Sequence, residues 1–223
     1  NPGEVVVKTA YSSVNYKDAL AGTGQGKILR RFPLVGGIYV AGHVVASTSP
    51  GFKEGDAVLV TGSGLSETRD GGYAEYARLD AQCVVALPAG LSLRESMILG
   101  TAGFTAGLAL LRMTENRQTP ELGPLAVTGA TGGVGSLAIA IFSKAGYEVH
   151  AISGKPEHAA YLKSLGASEV LGRDALAGTS PMASARFGRG LDNVGGPMLA
   201  ALLAQTAPYG NVASAGLAAS PEL

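Results

Sequence analysis

Val127-Thr128-Gly129-Ala130-Thr131-Gly132-Gly133-Val134-Gly135 is the stretch that decides the fold. It ends an apolar run, Leu125-Ala126-Val127-Thr128, that reads as a buried strand, and it opens the helical pattern Val134 to Lys144. A glycine-rich turn between strand and helix is the context that a dinucleotide fingerprint requires. Gly129 allows the tight turn, Gly132 and Gly133 let the backbone approach a pyrophosphate, and Gly135 lets the helix close on the sheet. The pyrophosphate would meet unpaired N–H groups at the helix N-terminus, where the dipole favours negative charge.

Outward from this loop the chain alternates. Glu148 to Ile152 is the next expected strand, Pro156 to Leu165 a helix with proline in its first turn, and Glu169-Val170-Leu171 a short strand. Gly190 to Val194, Met198 to Gln205 and Gly210 to Ala215 then read as strand, helix, strand. Strand–helix alternation with short links predicts a parallel, doubly wound sheet of about five strands, one fewer than the usual six. The first hundred residues follow another grammar. Glu4 to Lys8, Val40 to Ala46, Ala57 to Val60 and Cys83 to Ala86 read as strands between turn signals such as Ser49-Pro50-Gly51 and Asp70-Gly71-Gly72, which predicts a small barrel or sandwich. Ser92 and Glu95 have capping-box spacing, and Thr101 to Arg112 reads as an apolar helix. The boundary is placed at 98, giving domains 1–97 and 98–223.

Composition narrows the function classes. Of 223 residues, 46% are hydrophobic and 15% charged, the opposite of a disordered chain. Seventeen basic residues balance seventeen acidic ones, so no global field draws nucleic acid or an anionic membrane. The longest apolar runs, such as Leu137 to Phe142, fall far short of the ~18 residues of a membrane span. The single cysteine, Cys83, excludes an intrachain disulfide and fits a reducing, cytoplasmic setting. Glycine stands at 33 of 223 residues, about twice its usual ~7% share, as expected of many tight turns. Asn1 stands first, a strand-like run begins at Glu4, and Ser220 to Leu223 end the chain without a helix or polar tail, so both ends read as cut.

The tip of the second parallel strand bears on the cofactor. NAD-binding folds usually carry Asp or Glu about 20 residues after the loop to hold the ribose hydroxyls. Here the tip is Ser153-Gly154-Lys155, with Arg173 just past the third strand. A hydroxyl, an ammonium and a guanidinium suit a 2′-phosphate, so NADP(H) is expected.

The chain resembles the zinc-independent medium-chain dehydrogenase/reductases, in the quinone oxidoreductase branch that includes NADPH-dependent acryloyl-CoA reductases. The likeness rests on Ser13 to Leu20 (SVNYKDAL), Gly71 to Glu75 (GGYAE), Gly100 to Ala106 (GTAGFTA), the glycine loop, Ser153 to Lys155, Leu162 to Ala167 (LKSLGA) and Asp192 to Gly196 (DNVGG). It implies a GroES-like β domain joined to a Rossmann domain. It also implies cofactor contacts from Ala19, from Thr131 to Val134, from Ser153 to Lys155, from Arg173 and from Leu217, and a homodimer in the full-length protein. Family members exceed three hundred residues, which implies a missing first strand and a missing C-terminal part. One departure stands out: the family reads Pro-Gly-Ile-Asp where this chain has Gly36-Gly37-Ile38-Tyr39.

For the chemistry, Cys83, His43, His150 and His158 do not make a convincing zinc ligand set, so no catalytic metal is expected. Hydride transfer without a metal needs an acceptor that is already activated, such as an enone, an α,β-unsaturated thioester or a quinone. The resemblance puts Asn15-Tyr16-Lys17-Asp18 beside the nicotinamide, with Tyr16 as proton donor, Asn15 as ligand of the developing oxyanion and Asp18 as a further catalytic candidate. The competing reading is a turn in which Asn15 and Asp18 bond their own backbone.

Overall fold

The computed structural model describes residues 2–176 and 184–219, so Asn1 and the stretches 177–183 and 220–223 fall outside it. Contacts divide the chain into two compact units, Asn1–Thr101 and Ala102–Leu223.

In the first unit, β1 (Glu4–Tyr11), β2 (Tyr39–Ser47), β3 (Ala57–Thr61), β4 (Tyr76–Asp80) and β5 (Val85–Ala86) form an antiparallel sheet in the order β4-β1-β2-β3-β5. Burial alternates along β3 and β4, and the inward side chains build a core of Val5, Val7, Val40, Val44, Val58, Val60, Ala77 and Leu79. Strand β1 carries two register shifts against β2, between Val6 and Val7 and between Thr9 and Tyr11. Gly42 lies at the second, paired with Thr9, and a Cβ there would fall on the Lys8 carbonyl oxygen. Only glycine lets these strands approach so closely.

Three expectations need correction in this unit. Strand β4 is absent from the sequence reading; its Arg78 and exposed Tyr76 mask an alternation that only pairing with β1 reveals. Cys83 lies in a 3₁₀ turn, Ala81–Cys83, because the Asp80 carboxylate accepts the Gln82 N–H at 3.0 Å and caps it, so only Val85–Ala86 is extended. The helix expected from Thr101 starts earlier. It is α2 (Leu93–Glu115), broken at Gly100, where φ 48° and ψ −152° leave the helical region. The Ser92–Glu95 box forms as expected, with Ser92 N–H to the carboxylate at 2.8 Å and Glu95 N–H to the hydroxyl at 3.2 Å. Those bonds hold the Glu95 carboxyl below its usual pKa. By length and composition α2 could cross a membrane, but Ala106, Ala109 and Met113 are buried in the second unit's core.

The second unit is a parallel sheet in the order β10-β9-β6-β7-β8, formed by β6 (Leu125–Thr128), β7 (Val149–Ile152), β8 (Glu169–Leu171), β9 (Arg189–Asp192) and β10 (Val212–Ser214). Between strands run α3 (Gly133–Lys144), α4 (Ala159–Ser164, after a 3₁₀ turn at Pro156–His158) and α5 (Gly196–Ala204). Every residue of β6, β7 and β9 is buried, as in a sheet covered on both faces. Strand order reverses between β6 and β9, the point at which doubly wound sheets open a ligand crevice. β9 stops at Asp192 rather than at Val194, because a turn with Gly195 at φ 74° follows.

One buried charge braces this sheet. Arg189 is fully buried, donates to the Thr119 and Gly123 carbonyls at 2.5 and 3.0 Å, and lies 5.1 Å from the Tyr147 ring centroid. Burial pulls its pKa down, and neighbouring Tyr147 and Glu121 oppose the shift.

Two glycines test the packing in opposite directions. Gly42→Ala should destabilise the first unit by about 2 kcal/mol or more, since the backbone itself must move. Gly107, in α2 with nothing within 4 Å of the place a methyl would take, should tolerate alanine with a gain of about 0.5–1 kcal/mol. Thermal unfolding of the full-length protein reads both; equal melting temperatures would contradict the close approach at Gly42.

Candidate functional site

The glycine loop takes shape at the end of β6. Gly129 has φ +58°, its carbonyl accepts the Gly132 N–H at 2.9 Å, and the chain enters α3 at Gly133. Gly135 packs so tightly on Gly129 and Ala130 that any side chain would meet their backbone. The N-cap of α3 is Gly132, which has no side chain to bond the first amides of the helix. Gly133, by contrast, has only an ordinary 3.5 Å contact with the Ala102 Cβ. Protein packing alone does not demand glycine there.

A groove of about 750 Å³ opens over this turn, lined by Gly129, Thr131 to Gly135, Arg173, Asn193 to Gly195, Met198 and the backbone around Gly216. Its second wall comes from the end of β9. The fully buried Asp192 carboxylate accepts the Thr128 hydroxyl at 2.6 Å and the Gly195 N–H at 2.8 Å. The Asn193 N–H donates to Thr128 Oγ1 at 3.0 Å, and Asn193 Nδ2 donates to the Thr128 carbonyl at 2.8 Å. Thr128, Asp192 and Asn193 are site residues that the sequence reading does not single out. Their signal is the Asp192-Asn193-Val194-Gly195-Gly196 run, where a charge ends a buried strand ahead of two glycines.

At the tip of β7 the expected cationic residues converge. The Ser153 Oγ accepts the Lys155 N–H at 3.1 Å, and Arg173 lies across Gly154 so closely that a Cβ there would come within 2.5 Å of Nε. Ser153, Gly154, Lys155 and Arg173 line one small recess of about 70 Å³, together with Thr128, Gly129 and Thr131. Among the described residues neither Lys155 nor Arg173 forms an ion pair, so both charges stay available to an anion. Leu217 is exposed and does not itself line the groove, although Gly216 and Ala218 do.

The other candidates lie in the first unit. Asn15 to Asp18 form the start of a helix, α1 (Tyr16–Thr23), which the sequence did not reveal. Asn15 is its N-cap, with Oδ1 accepting the Lys17 N–H at 3.0 Å, and Asp18 Oδ2 accepts the Asn15 N–H at 2.8 Å. The competing turn reading is thus present in the geometry as a full capping box. The second Asp18 oxygen accepts the Ile38 N–H at 3.2 Å. Asn15 Nδ2 donates to the Tyr39 hydroxyl at 2.7 Å, Lys17 pairs with Glu67 at 3.1 Å, and Tyr16 is 76% exposed. Ala19, on the same helix, is also exposed. Tyr73 belongs with this cluster. Burial raises its phenol pKa, and the Asp18 charge and a hydrogen bond to it act the same way, so it stays a protonated donor.

Among the described residues no group of three or more His, Cys, Asp or Glu side chains could hold a metal. His43 is an exposed residue of β2, and the Cys83 sulfur accepts from Arg69 at 3.2 Å. His150 sits buried on β7 between Glu148 and Glu169, and His158 ends a turn beside Glu157.

The chain matches the family described as "Alcohol dehydrogenase GroES-like domain" over residues 1–89 and "Zinc-binding dehydrogenase" over residues 133–223. It is similar to an Escherichia coli protein named "Probable acrylyl-CoA reductase AcuI", 49% identical over 216 residues that cover 97% of this chain and 67% of the relative. It thus spans about two thirds of that relative's length. Among solved structures it is similar to the yhdH oxidoreductase of Salmonella enterica in complex with NADP, at 48% identity and a TM-score of 0.94, covering 100% of this chain and 70% of the other. It is also similar to Bacillus subtilis yhfP with NAD bound, at 44% identity and a TM-score of 0.94, covering 100% and 69%. The antiparallel sheet is therefore the GroES-like element and the parallel sheet the Rossmann element of one fold, and the chain belongs to the medium-chain dehydrogenase/reductase family of oxidoreductases.

Proposed function

We propose that this chain carries the cofactor-binding and part of the acceptor-binding machinery of an NADPH-dependent reductase. Its substrate would be an activated alkene, an acryloyl-CoA-like thioester or a simple enone. The observation that carries the cofactor choice is Arg173 lying over Gly154, beside Ser153 and Lys155, at a strand tip without an acid. A guanidinium fork, an ammonium and a hydroxyl suit a phosphate dianion; a free ribose diol would call for a carboxylate. The glycine loop fits the rest of the molecule. The α3 amides lack a side-chain cap, and Gly133 has room that an approaching ligand would fill. The relatives support a nicotinamide cofactor, one having been crystallised with NADP and another with NAD.

NADPH held there would supply a hydride to the β-carbon of the acceptor. The chain's own residues then manage the charge and the proton. By the family resemblance, the Nδ2 hydrogen of Asn15 that Tyr39 leaves unused would donate to the developing enolate oxygen, and the exposed phenol of Tyr16 would supply the proton that the α-carbon needs. Substrate, NADPH and one proton give the saturated product and NADP⁺. We assign Asp18 an anchoring role, since both its oxygens accept backbone N–H groups from Asn15 and Ile38. Among the described residues no group of three or more His, Cys, Asp or Glu side chains could hold zinc, and the proposed transfer uses no metal. A quinone is the competing acceptor, and NADPH binding without turnover is the reading from another class. NADPH oxidation by the full-length protein against acryloyl-CoA, simple enones and quinones separates the three.

Two further outcomes follow from the site. Lys155→Ala and Arg173→Ala should each weaken NADPH binding roughly tenfold while leaving NADH nearly unchanged, because only the former carries the 2′-phosphate. Cofactor titration by fluorescence checks this, and equal weakening toward both would refute the phosphate assignment. Turnover should also survive prolonged chelation; activity lost to a chelator and restored by zinc alone would show that the protein does hold a catalytic metal.

A further inference from the structure

The Asn15 carboxamide is held at both ends, which a helix cap does not require. Capping uses Oδ1 alone, here bonded to the Lys17 N–H. Nδ2 makes a second, short bond of 2.7 Å to the Tyr39 hydroxyl. Tyr39 opens β2 and is 3% exposed. Its hydroxyl also accepts the Thr101 N–H at 3.4 Å, and its ring packs under the Gly100 break, where a Cβ would lie 3.3–3.5 Å from the ring edge and oxygen. The Tyr39 carbonyl in turn accepts the Ser12 hydroxyl at 2.8 Å. One buried phenol therefore joins the N-cap of α1, the start of β2 and the broken turn of α2.

We propose that Tyr39 is a positioning residue that acts through Asn15. With Oδ1 tied to the cap and one Nδ2 hydrogen tied to the phenol, the amide plane cannot rotate, and the direction of the remaining hydrogen is set. Preorganised donors stabilise a developing charge because they need no reorientation as it forms. This rests on the proposed role of Asn15 toward the acceptor oxygen. By the resemblance noted in the sequence, position 39 is also where an aspartate would be expected, and a carboxylate is too short to reach the place of the phenol oxygen.

The test is a double-mutant cycle in the full-length protein, reading NADPH oxidation with the activated alkene that it turns over. Tyr39→Phe keeps the ring against Gly100 and removes only the acceptor. It should lower kcat about tenfold, the loss expected for one hydrogen bond that matters in the transition state, with KM for NADPH unchanged. In an Asn15→Ala background the same change should alter kcat less than about twofold, since the residue it acts through is gone. Equal losses in both backgrounds, or none in the parent, overturn the proposal while leaving the Asn15 role standing. An Asn15→Ala variant with parental kcat, or no alkene turnover at all, overturns the Asn15 role and the proposal with it. Should Tyr39→Phe fail to fold, 3-fluorotyrosine at position 39, a weaker acceptor of nearly the same shape, should give a smaller drop in kcat; an unchanged kcat there also overturns the proposal.

Discussion

Among the described residues the buried carboxylate of Asp192 has no cationic partner, and the groove over the glycine loop depends on how that carboxylate is met. Burying an anion is costly unless hydrogen bonds replace its water. Two donors do so, the Thr128 hydroxyl at 2.6 Å and the Gly195 N–H at 2.8 Å. These come from different strand ends, so meeting the charge ties the end of β6 to the turn after β9. Thr128 then accepts from the Asn193 N–H, which leaves its hydroxyl a single possible direction. The two turns flanking the reversal of strand order are thereby held in one relation. Gly129 keeps its left-handed backbone where an added Cβ would lie 3.2 Å from Asn193, and Gly216 passes against the Asn193 backbone. Losing the Thr128 hydroxyl would strand the charge, so a change one residue before the glycine loop would reshape the groove opposite it.

The first unit uses the same device on a smaller scale. Asp18 is met by two backbone N–H groups, from Asn15 at the helix start and Ile38 ahead of β2. Helix α1 has eight residues and none of them is buried, so packing contributes little to it. Its caps hold it: Asn15 and Asp18 at one end, and Gly24 in a left-handed conformation at the other. A carboxylate and a carboxamide that read as catalytic groups are, first, what makes this segment helical.

This explains which parts are legible from the chain itself. The glycine loop can be read because its demands are local: a positive φ at Gly129 and a packed Gly135 are set by residues within a few positions. The central strand β6 can be read because burial on both faces leaves the apolar run Leu125-Ala126-Val127 directly ahead of the loop. Strand β4 cannot, since Tyr-Ala-Arg-Leu-Asp becomes a strand only when β1 covers its edge. The capping box at Ser92 announces the start of α2, but the turns between it and Thr101 escape because Gly100 breaks the 23-residue helix at the point where the apolar pattern begins. The second wall of the groove escapes for a related reason. Asn193 lies 58 or more residues, and Gly216 81 or more, beyond the loop that they face, and no local spacing announces that meeting.

The cofactor residues and the acceptor residues therefore differ in how they respond to sequence change. A dinucleotide is met largely by backbone, through amides, glycines and a helix end, and the proposed choice of phosphate adds the side chains of Ser153, Lys155 and Arg173. The acceptor side of the proposal rests on side chains whose orientation is borrowed from distant residues: the Asn15 amide is bonded to the Tyr39 hydroxyl, and Tyr39 is seated by Gly100 and Thr101. A substitution in such a chain of contacts acts at a distance without touching the cofactor. Because the bond that caps α1 and the bond that aims Asn15 leave from the same amide, the stability of the helix and the geometry of the acceptor residues cannot be tuned separately. Replacing Asn15 by another good cap, such as Ser or Asp, would keep the helix and lose the aimed N–H. The chemical demand at position 15 is thus narrower than the structural one.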